Sequence, residues 1–271
     1  MNRFDLTPSS QITYVGHATL LIELDGVRFL TDPILRDRIV HLRHRYTPNE
    51  TAAYQNIDAV LISHLHFDHL DLPSLRMIGH STRLVVPNGA GNLLRKQGFT
   101  NVIEVGVGDS FSIRSVTIEA TYALHTPERH PFGPSAECLG FFIKGSYYIY
   151  FAGDTDLFPE MATFADALDV AFLPIWGWGP TLGSGHMDPL RAAQALSLLR
   201  PRLAVPIHWG TLHPWGLGWL KPDFLTRPPH EFVRHAADIA PEVETQIVTP
   251  GTAFLLPNFL GDAPSYKTHI F

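Results

Sequence analysis

The chain has 271 residues, 45% hydrophobic and 17% charged, with a formal net charge of −6; this is the composition of a globular protein able to bury a sizeable core without staples. The acidic balance does not favour nucleic acid as a partner, and a single cysteine, Cys138, excludes an internal disulfide and suits a reducing, cytoplasmic compartment. The start of the chain lacks the basic flank and apolar core of a signal peptide, and no apolar run reaches membrane-spanning length.

In chain order, residues 12–15, 20–24 and 27–30 read as a strand meander with Asp25-Gly26 as a hairpin turn, ending in Leu30-Thr31-Asp32-Pro33. Residues 36–45 then carry Arg36, Arg38, Arg43 and Arg45 with His41 and His44. This segment reads either as a solvated loop or as a clamp in which Arg43 and Arg45 bind an anionic group through their guanidinium forks. The apolar run 58–62 reads as a buried strand that delivers Ser63-His64-Leu65-His66-Phe67-Asp68-His69-Leu70-Asp71 at its end. His64 and His66, two apart in extended chain, point the same way and can share an ion. Asp68 and His69 lie on the following bend and face a second position. Asp71 is placed to cap a helix with Pro73 in its first turn.

Further strands are expected at 84–86, 102–105, 111–122, 139–143, 147–151, 170–175, 203–207 and 246–249, with Lys144-Gly145-Ser146 as a hairpin turn. Helical patterns cover 88–97, 157–168 and 188–200. The last has Asp188 as cap, Pro189 at the first position, Ala192, Ala195, Leu196 and Leu199 on one face, and Pro201 as the stop. Cys138 reads as a small buried residue at a strand start. No internal repeat and no low-complexity linker divides the chain, so a single domain over 1–271 is expected, with 258–271 as a C-terminal tail. His125, Asp154 and His208 each follow a strand as the His64 cluster does, and neighbouring strand ends would bring them to one rim. Five histidines and two aspartates suffice for two ions about 3.5–4 Å apart that share a bridging carboxylate and an activated water.

His64-x-His66-x-Asp68-His69, a later histidine, Gly153-Asp154-Thr155 and His208 together resemble the metallo-β-lactamase superfamily, from about residue 12 to 208. Gly16-His17-Ala18-Thr19, Leu30-Thr31-Asp32-Pro33, Gly185-His186-Met187-Asp188-Pro189 and Ile207-His208-Trp209-Gly210 are similar to its N-acyl-phosphatidylethanolamine phospholipase D-like and ascorbate-6-phosphate lactonase-like group. The resemblance implies an α/β (α+β) fold, a four-layer αβ/βα sandwich of two mixed sheets flanked by helices. It also implies a partition of the ligands: His64, His66 and His125 on one ion, Asp68, His69 and His208 on the other, and Asp154 bridging. Imidazole and carboxylate donors suit two divalent ions, zinc first, with manganese, iron or cobalt as alternatives. The superfamily's di-iron members resemble this chain but carry glutamate at the place of His66, which favours hydrolysis here. Its true β-lactamases usually lack the bridging aspartate, which makes antibiotic hydrolysis a poor expectation.

These readings lead to expected roles. Asp154 holds the ions together and orients the bridging hydroxide, and Asp32 fixes a ligand imidazole through its free N–H. His17 supports the site or the core. His186, placed like a histidine that assists the leaving group in related phosphodiesterases, is expected to be catalytic, with Asp188 as a compensating charge. Trp176, Trp178, Trp209, Trp215 and Trp219 gather around the last ligand; Trp209 is expected to touch substrate and 214–222 to form a pocket wall or lid. The expected function is a metal-dependent hydrolase cleaving a phosphodiester or lactone-like ester in a small molecule, with a homo-oligomer compatible. The alternative is a metal-binding sensor or partner protein without turnover, against which the intact ligand set argues.

Overall fold

The structure, a computed structural model, describes residues 10–46, 51–130, 133–165, 167–217 and 222–259. Its strands form two seven-stranded mixed sheets. The first takes β1 (Gln11–Gly16), β2 (Thr19–Leu24), β3 (Val27–Thr31), β6 (Ala59–Leu61), β7 (Leu84–Pro87), β8 (Val102–Val105) and β17 (Thr252–Leu255), in the order β17-β1-β2-β3-β6-β7-β8. The second takes β9 (Ser110–Ile113), β10 (Val116–Tyr122), β11 (Leu139–Lys144), β12 (Tyr148–Phe151), β13 (Val170–Pro174), β14 (Leu203–Ile207) and β16 (Glu244–Thr245), in the order β16-β14-β13-β12-β11-β10-β9. A small sheet of β4 (Arg38–Ile39), β5 (Leu42–His44) and β15 (Leu212–Pro214) stands beside them.

Both faces of each main sheet are covered, which is why strands such as Val60-Leu61 and Val170-Ala171-Phe172-Leu173 read as unbroken apolar runs. Ile12, Tyr14, Phe29, Ile118, Phe141 and Phe172 meet between the sheets. Helices α1 (Leu72–Ile78) and α2 (Gly91–Lys96) place Leu75 and Leu94 on the outside of the first sheet. Helix α3 (Pro189–Leu199) and helix α4 (Arg227–Ile239) lay Leu196, Leu199 and Phe232 on the outside of the second. The four-layer αβ/βα sandwich is therefore met. Among the described residues no helix is long and apolar enough to cross a membrane.

The caps follow the local sequence. Asp71 accepts from the Ser74 N–H at 3.0 Å and Asp188 from the Arg191 N–H at 2.8 Å, each ahead of a proline in the first turn.

Four expected elements differ. The single strand at 111–122 is two antiparallel strands, because the chain reverses at Arg114, whose φ is 52°. Arg114 anchors that turn from outside, donating to Asp58 Oδ1 at 2.8 Å, a tertiary contact that no local turn residue announces. The expected helix at 157–168 is a 3-10 segment, Pro159–Phe164, whose Met161 and neighbouring Phe158 are drawn into the outer core. Helix 88–97 shortens to α2 because residues 88–90 form the turn that leaves β7. Residues 246–249 are not a strand: they carry the chain from β16 in one sheet to β17 in the other, so they cannot stay in either ladder. Helix α4, the small sheet and the edge strands β16 and β17 were not anticipated. The C-terminal tail lies outside the described residues from 260 onward.

Candidate metal centre

The parallel strands β3, β6 and β7 of the first sheet and β12, β13 and β14 of the second release their chains at one rim, the usual ligand edge of an open α/β sheet. Asp32 follows β3, Ser63-His64 follows β6, His125 follows β10, Asp154 follows β12 and His208 follows β14. The turns that aim these side chains are unusual: His17, Asp32 and His208 have φ of 56°, 33° and 61°. Left-handed backbone at non-glycine residues costs on the order of 1–3 kcal/mol each and persists where surrounding structure imposes it. Gly153, with φ 62°, is required, since a Cβ there would lie 2.7 Å from Ser63 Cβ and 2.8 Å from the Leu139 carbonyl oxygen.

All the sequence-derived ligand candidates converge. His66 Nδ1 lies 2.9 Å from His64 Nε2 and 3.0 Å from His125 Nε2. Beside this trio, His69 Nε2 and His208 Nε2 are 3.1 Å apart, with Asp68 Oδ2 at 3.9 Å from each. The Asp154 carboxylate reaches His69 at 3.1 Å through Oδ2 and His208 at 3.1 Å through Oδ1, while Oδ2 stands 4.0 Å from His125. Asp154 is 2% exposed, yet its Oδ1 makes no hydrogen bond.

The donor set suits a cation. His64 Nε2 and His125 Nε2 both approach His66 Nδ1 at about 3 Å, and the single N–H that this nitrogen can carry cannot fully satisfy two acceptors. Their spacing is a few tenths of an ångström tighter than the roughly 3.3 Å edge of a tetrahedron built on a zinc–nitrogen bond of about 2.0–2.1 Å.

The far side of nearly every imidazole is held. His64 Nδ1 donates to Ser63 Oγ at 2.9 Å, and Ser63 Oγ donates in turn to Asp32 Oδ2 at 2.6 Å. His69 Nδ1 donates to the same Asp32 oxygen at 2.7 Å, His125 Nδ1 to the Gly185 carbonyl at 2.7 Å, and His208 Nδ1 to the Trp176 carbonyl at 2.9 Å. These bonds assign the proton to Nδ1 and turn the Nε2 lone pairs inward. Asp32, with no exposed surface, thereby supports His64 and His69 at once, and it also accepts from the Ser63 N–H at 2.7 Å.

The electrostatics follow from burial and these neighbours. Burial, with His69 and His125 adding to it, holds His64 well below the usual imidazole range. Burial also brings His125 down to about 4, against the pull of Asp154. Burial pushes Asp154 up, but His208 and His69 more than offset it and hold it well below the carboxylate range. Burial and the His208 ring, 3.8 Å away between centroids, depress His17 to about 3, so His17 stays a neutral donor to Asp68 Oδ2 at 3.0 Å.

A cavity of about 290 Å³ opens onto Asp154, Asp68 and His66. The β4–β5 hairpin, through Ile39, Val40, His41 and Leu42, forms one wall with Trp178; Phe67, Arg129 and His186 complete it. His186 Nε2 lies 3.3 Å from Asp154 Oδ2. Burial lowers its proton affinity, but Asp154 outweighs this and raises it. The compensating carboxylate is thus Asp154 and not Asp188, whose side chain caps α3.

The other expected substrate contacts are not on this cavity. Strand alternation sends Leu42 and His44 inward and Arg43 outward, where it faces Arg38 and His213 in register. Arg45 Nη1 donates to the Leu225 carbonyl at 3.4 Å. Arg36 forks onto Asp71, with both contacts at 2.8 Å. Trp209 is buried in the layer under α3, its Nε1 donating to the Pro206 carbonyl at 2.9 Å. Trp219 and residues 218–221 of the expected lid lie outside the described residues. Arg43→Ala is accordingly expected to change kcat/KM by no more than about fivefold, the size of an exposed charge effect; a larger loss confined to anionic substrates would put Arg43 back at the site. Sequence reading missed Arg129, Trp178 as the wall residue, and Ser63 as a relay. A lone arginine or serine at these positions carries no spacing that marks it.

Residues 27–209 match the family described as Beta-lactamase superfamily domain. The chain is 31% identical over 259 residues to a metal-dependent hydrolase of Rubrobacter xylanophilus, covering 91% of this chain and 97% of that protein. It is 30% identical over 230 residues to an N-acyl-phosphatidylethanolamine-hydrolyzing phospholipase D 1 of Caenorhabditis elegans, covering 75% of this chain and 64% of the relative. Among solved structures, Igni18, a metallo hydrolase from the hyperthermophilic archaeon Ignicoccus hospitalis, superposes with a TM-score of 0.69 at 25% identity, over 91% of this chain and 97% of the other.

Proposed function

The chain belongs to the metallo-β-lactamase superfamily and its metal-dependent hydrolases, and from that premise we propose a dinuclear hydrolase that cleaves a phosphodiester or a lactone-like ester. The observation that carries the dinuclear reading is Asp154, a buried carboxylate between the His64–His66–His125 trio and the Asp68–His69–His208 group, with an oxygen left unbonded. In this reading the trio holds one ion, the second group the other, and Asp154 both.

Divalent ions bound there, zinc by preference, would supply Lewis acidity toward a carbonyl or phosphoryl oxygen and bring the pKa of water toward neutrality. The remaining work falls to side chains. Asp32 and Ser63 hold the tautomers of His64 and His69, and the Gly185 and Trp176 carbonyls do the same for His125 and His208. His186 holds a proton at Nε2 against Asp154 and gives it to the leaving oxygen. The apolar hairpin tip and Trp178 take the body of the substrate and exclude water from the cleaved bond. A cytoplasmic location belongs to the same proposal, supported by the free, buried Cys138.

Metal analysis of the purified protein, followed by chromogenic phosphodiesters, phosphomonoesters, lactones and cephalosporins, tests this reading. Two ions per chain with turnover of a phosphodiester or a lactone are expected; one ion at full activity would end the dinuclear proposal. His186→Asn is expected to lower kcat on the order of 10²-fold or more for a poor leaving group and far less for nitrophenolate. An equal loss for both leaving groups would remove His186 from that role.

A further inference from the structure

We propose that Arg129 is a positioning residue: it locks the loop carrying His64, His66, Asp68 and His69 onto the segment that follows His125, and so sets the metal affinity of the centre. The proposal rests on the metallohydrolase reading and concerns a residue outside its ligand set.

Arg129 stands four residues after His125 in the connection between β10 and β11, and only 8% of it is exposed. Its guanidinium spreads over two carbonyls of the ligand loop: Nη1 donates to Leu65 O and Nη2 to Leu70 O, the latter at 3.0 Å. Leu65 separates His64 from His66, and Leu70 follows His69. One rigid fork therefore brackets His66, Asp68 and His69, with His64 immediately before it. Between the two carbonyls the loop makes a single turn, with the His69 and Leu70 N–H groups on His66 O at 3.1 and 2.8 Å. The Phe67 ring closes over the cation at 4.1 Å from Cζ.

A buried guanidinium is normally matched by a carboxylate, because desolvating it alone costs several kcal/mol. Among the described residues none lies within ion-pair distance of Arg129, and the nearby Asp71 is engaged by Arg36. Backbone carbonyls take the place of that partner, and five donors in a planar fork suit two of them better than an ammonium would. The arginine's own segment is fixed, with the Arg129 N–H on Pro134 O at 3.0 Å and a bridge between Glu128 and Ser135. The clamp thus runs from the second sheet, where His125 follows β10, to the first, where His64 and His66 follow β6. The trio draws its ligands from both sheets, so its geometry depends on their relative placement. A shift of a few tenths of an ångström between the sheets acts directly on the three nitrogens.

The test is metal binding by the full chain, with Arg129→Met, Arg129→Lys and Phe67→Ala against the parent. Zinc affinity is read by chelator competition and the centre's geometry by the absorption spectrum of the cobalt(II) form; melting of the metal-free proteins is followed in parallel. Arg129→Met is expected to bind zinc about 10–100-fold more weakly, the usual cost of losing a group that orients ligands, with an altered cobalt spectrum. Arg129→Lys keeps the charge but not the fork and should fall between, and Phe67→Ala should weaken binding least. Should Arg129→Met fail to fold, Arg129→Lys and Phe67→Ala decide. Variants with the parent's zinc affinity and cobalt spectrum overturn the proposal alone. A parent that binds neither ion overturns the metal-centre reading and this proposal with it.

Discussion

Asp154→Ala is expected to lose hydrolysis by several orders of magnitude and to bind fewer ions, while remaining folded. The carboxylate stands 3.1 Å from both His69 and His208 and 3.3 Å from His186, and it belongs to none of the hydrophobic clusters. In the proposed dinuclear site its removal would take away the negative charge between the two ligand groups and leave two dications with nothing to offset their repulsion. Asp154→Asn retains the shape and should bind metal better than the alanine variant, yet hydrolyse poorly, since a neutral amide offsets little of that repulsion. Metal content and kcat/KM measured on both variants check this, and circular dichroism checks the fold. Wild-type turnover in both would show that Asp154 is not the bridge.

The second large effect is expected at Asp32, and it differs in kind. Asp32 has no exposed surface and satisfies three donors, the Ser63 N–H, the Ser63 hydroxyl and His69 Nδ1, at 2.6–2.7 Å. Asp32→Ala leaves all three buried and unbonded, at about 1–3 kcal/mol each before relaxation. Stability is expected to fall by roughly 3–5 kcal/mol, as when one member of a buried network is removed. For a chain of this size that lowers Tm on the order of 10 °C. Metal affinity is expected to fall with it, about 10–100-fold, because His64 and His69 lose the bonds that orient them. Asp32→Asn discriminates: it fills the space and recovers much of the stability, but its amide can accept at one position only, so metal affinity should stay low. Thermal melting of the metal-free variants and zinc competition separate the two effects; an alanine variant as stable and as tightly metal-bound as the parent would remove Asp32 from this supporting role.

The ligand candidates were legible because their chemistry is local. His64-x-His66-x-Asp68-His69 is a spacing with few uses besides metal, and strand ends mark where His125, Asp154 and His208 leave the sheets. The same holds for the caps Asp71 and Asp188, whose donors lie three residues on. Legibility failed where a residue's role depends on a distant partner. The turn at Arg114 is held by Asp58, 56 residues away. Arg43 was read as a clamp because charge is visible in a sequence, whereas the face it presents is fixed by the pairing of β5 with β15. Trp209 was read as a substrate contact beside His208, yet it is buried in the outer core of the second sheet.

By itself the sequence determined most of the strands of the two sheets, the candidate ligands and the family to which the chain belongs, since periodicity, caps and ligand spacing are properties of short segments. Only the tertiary structure decided which residues surround those ligands. Asp32 was expected to support a ligand imidazole, but that it serves His69 directly and His64 through Ser63, that the Gly185 and Trp176 carbonyls stand behind His125 and His208, and that Arg129 spans the Leu65 and Leu70 carbonyls are all contacts between segments far apart in the chain. Such contacts form where two sheets happen to bring their rims together, and that placement is set by the packing of Phe29, Phe141 and Phe172 between the sheets and not by any segment alone.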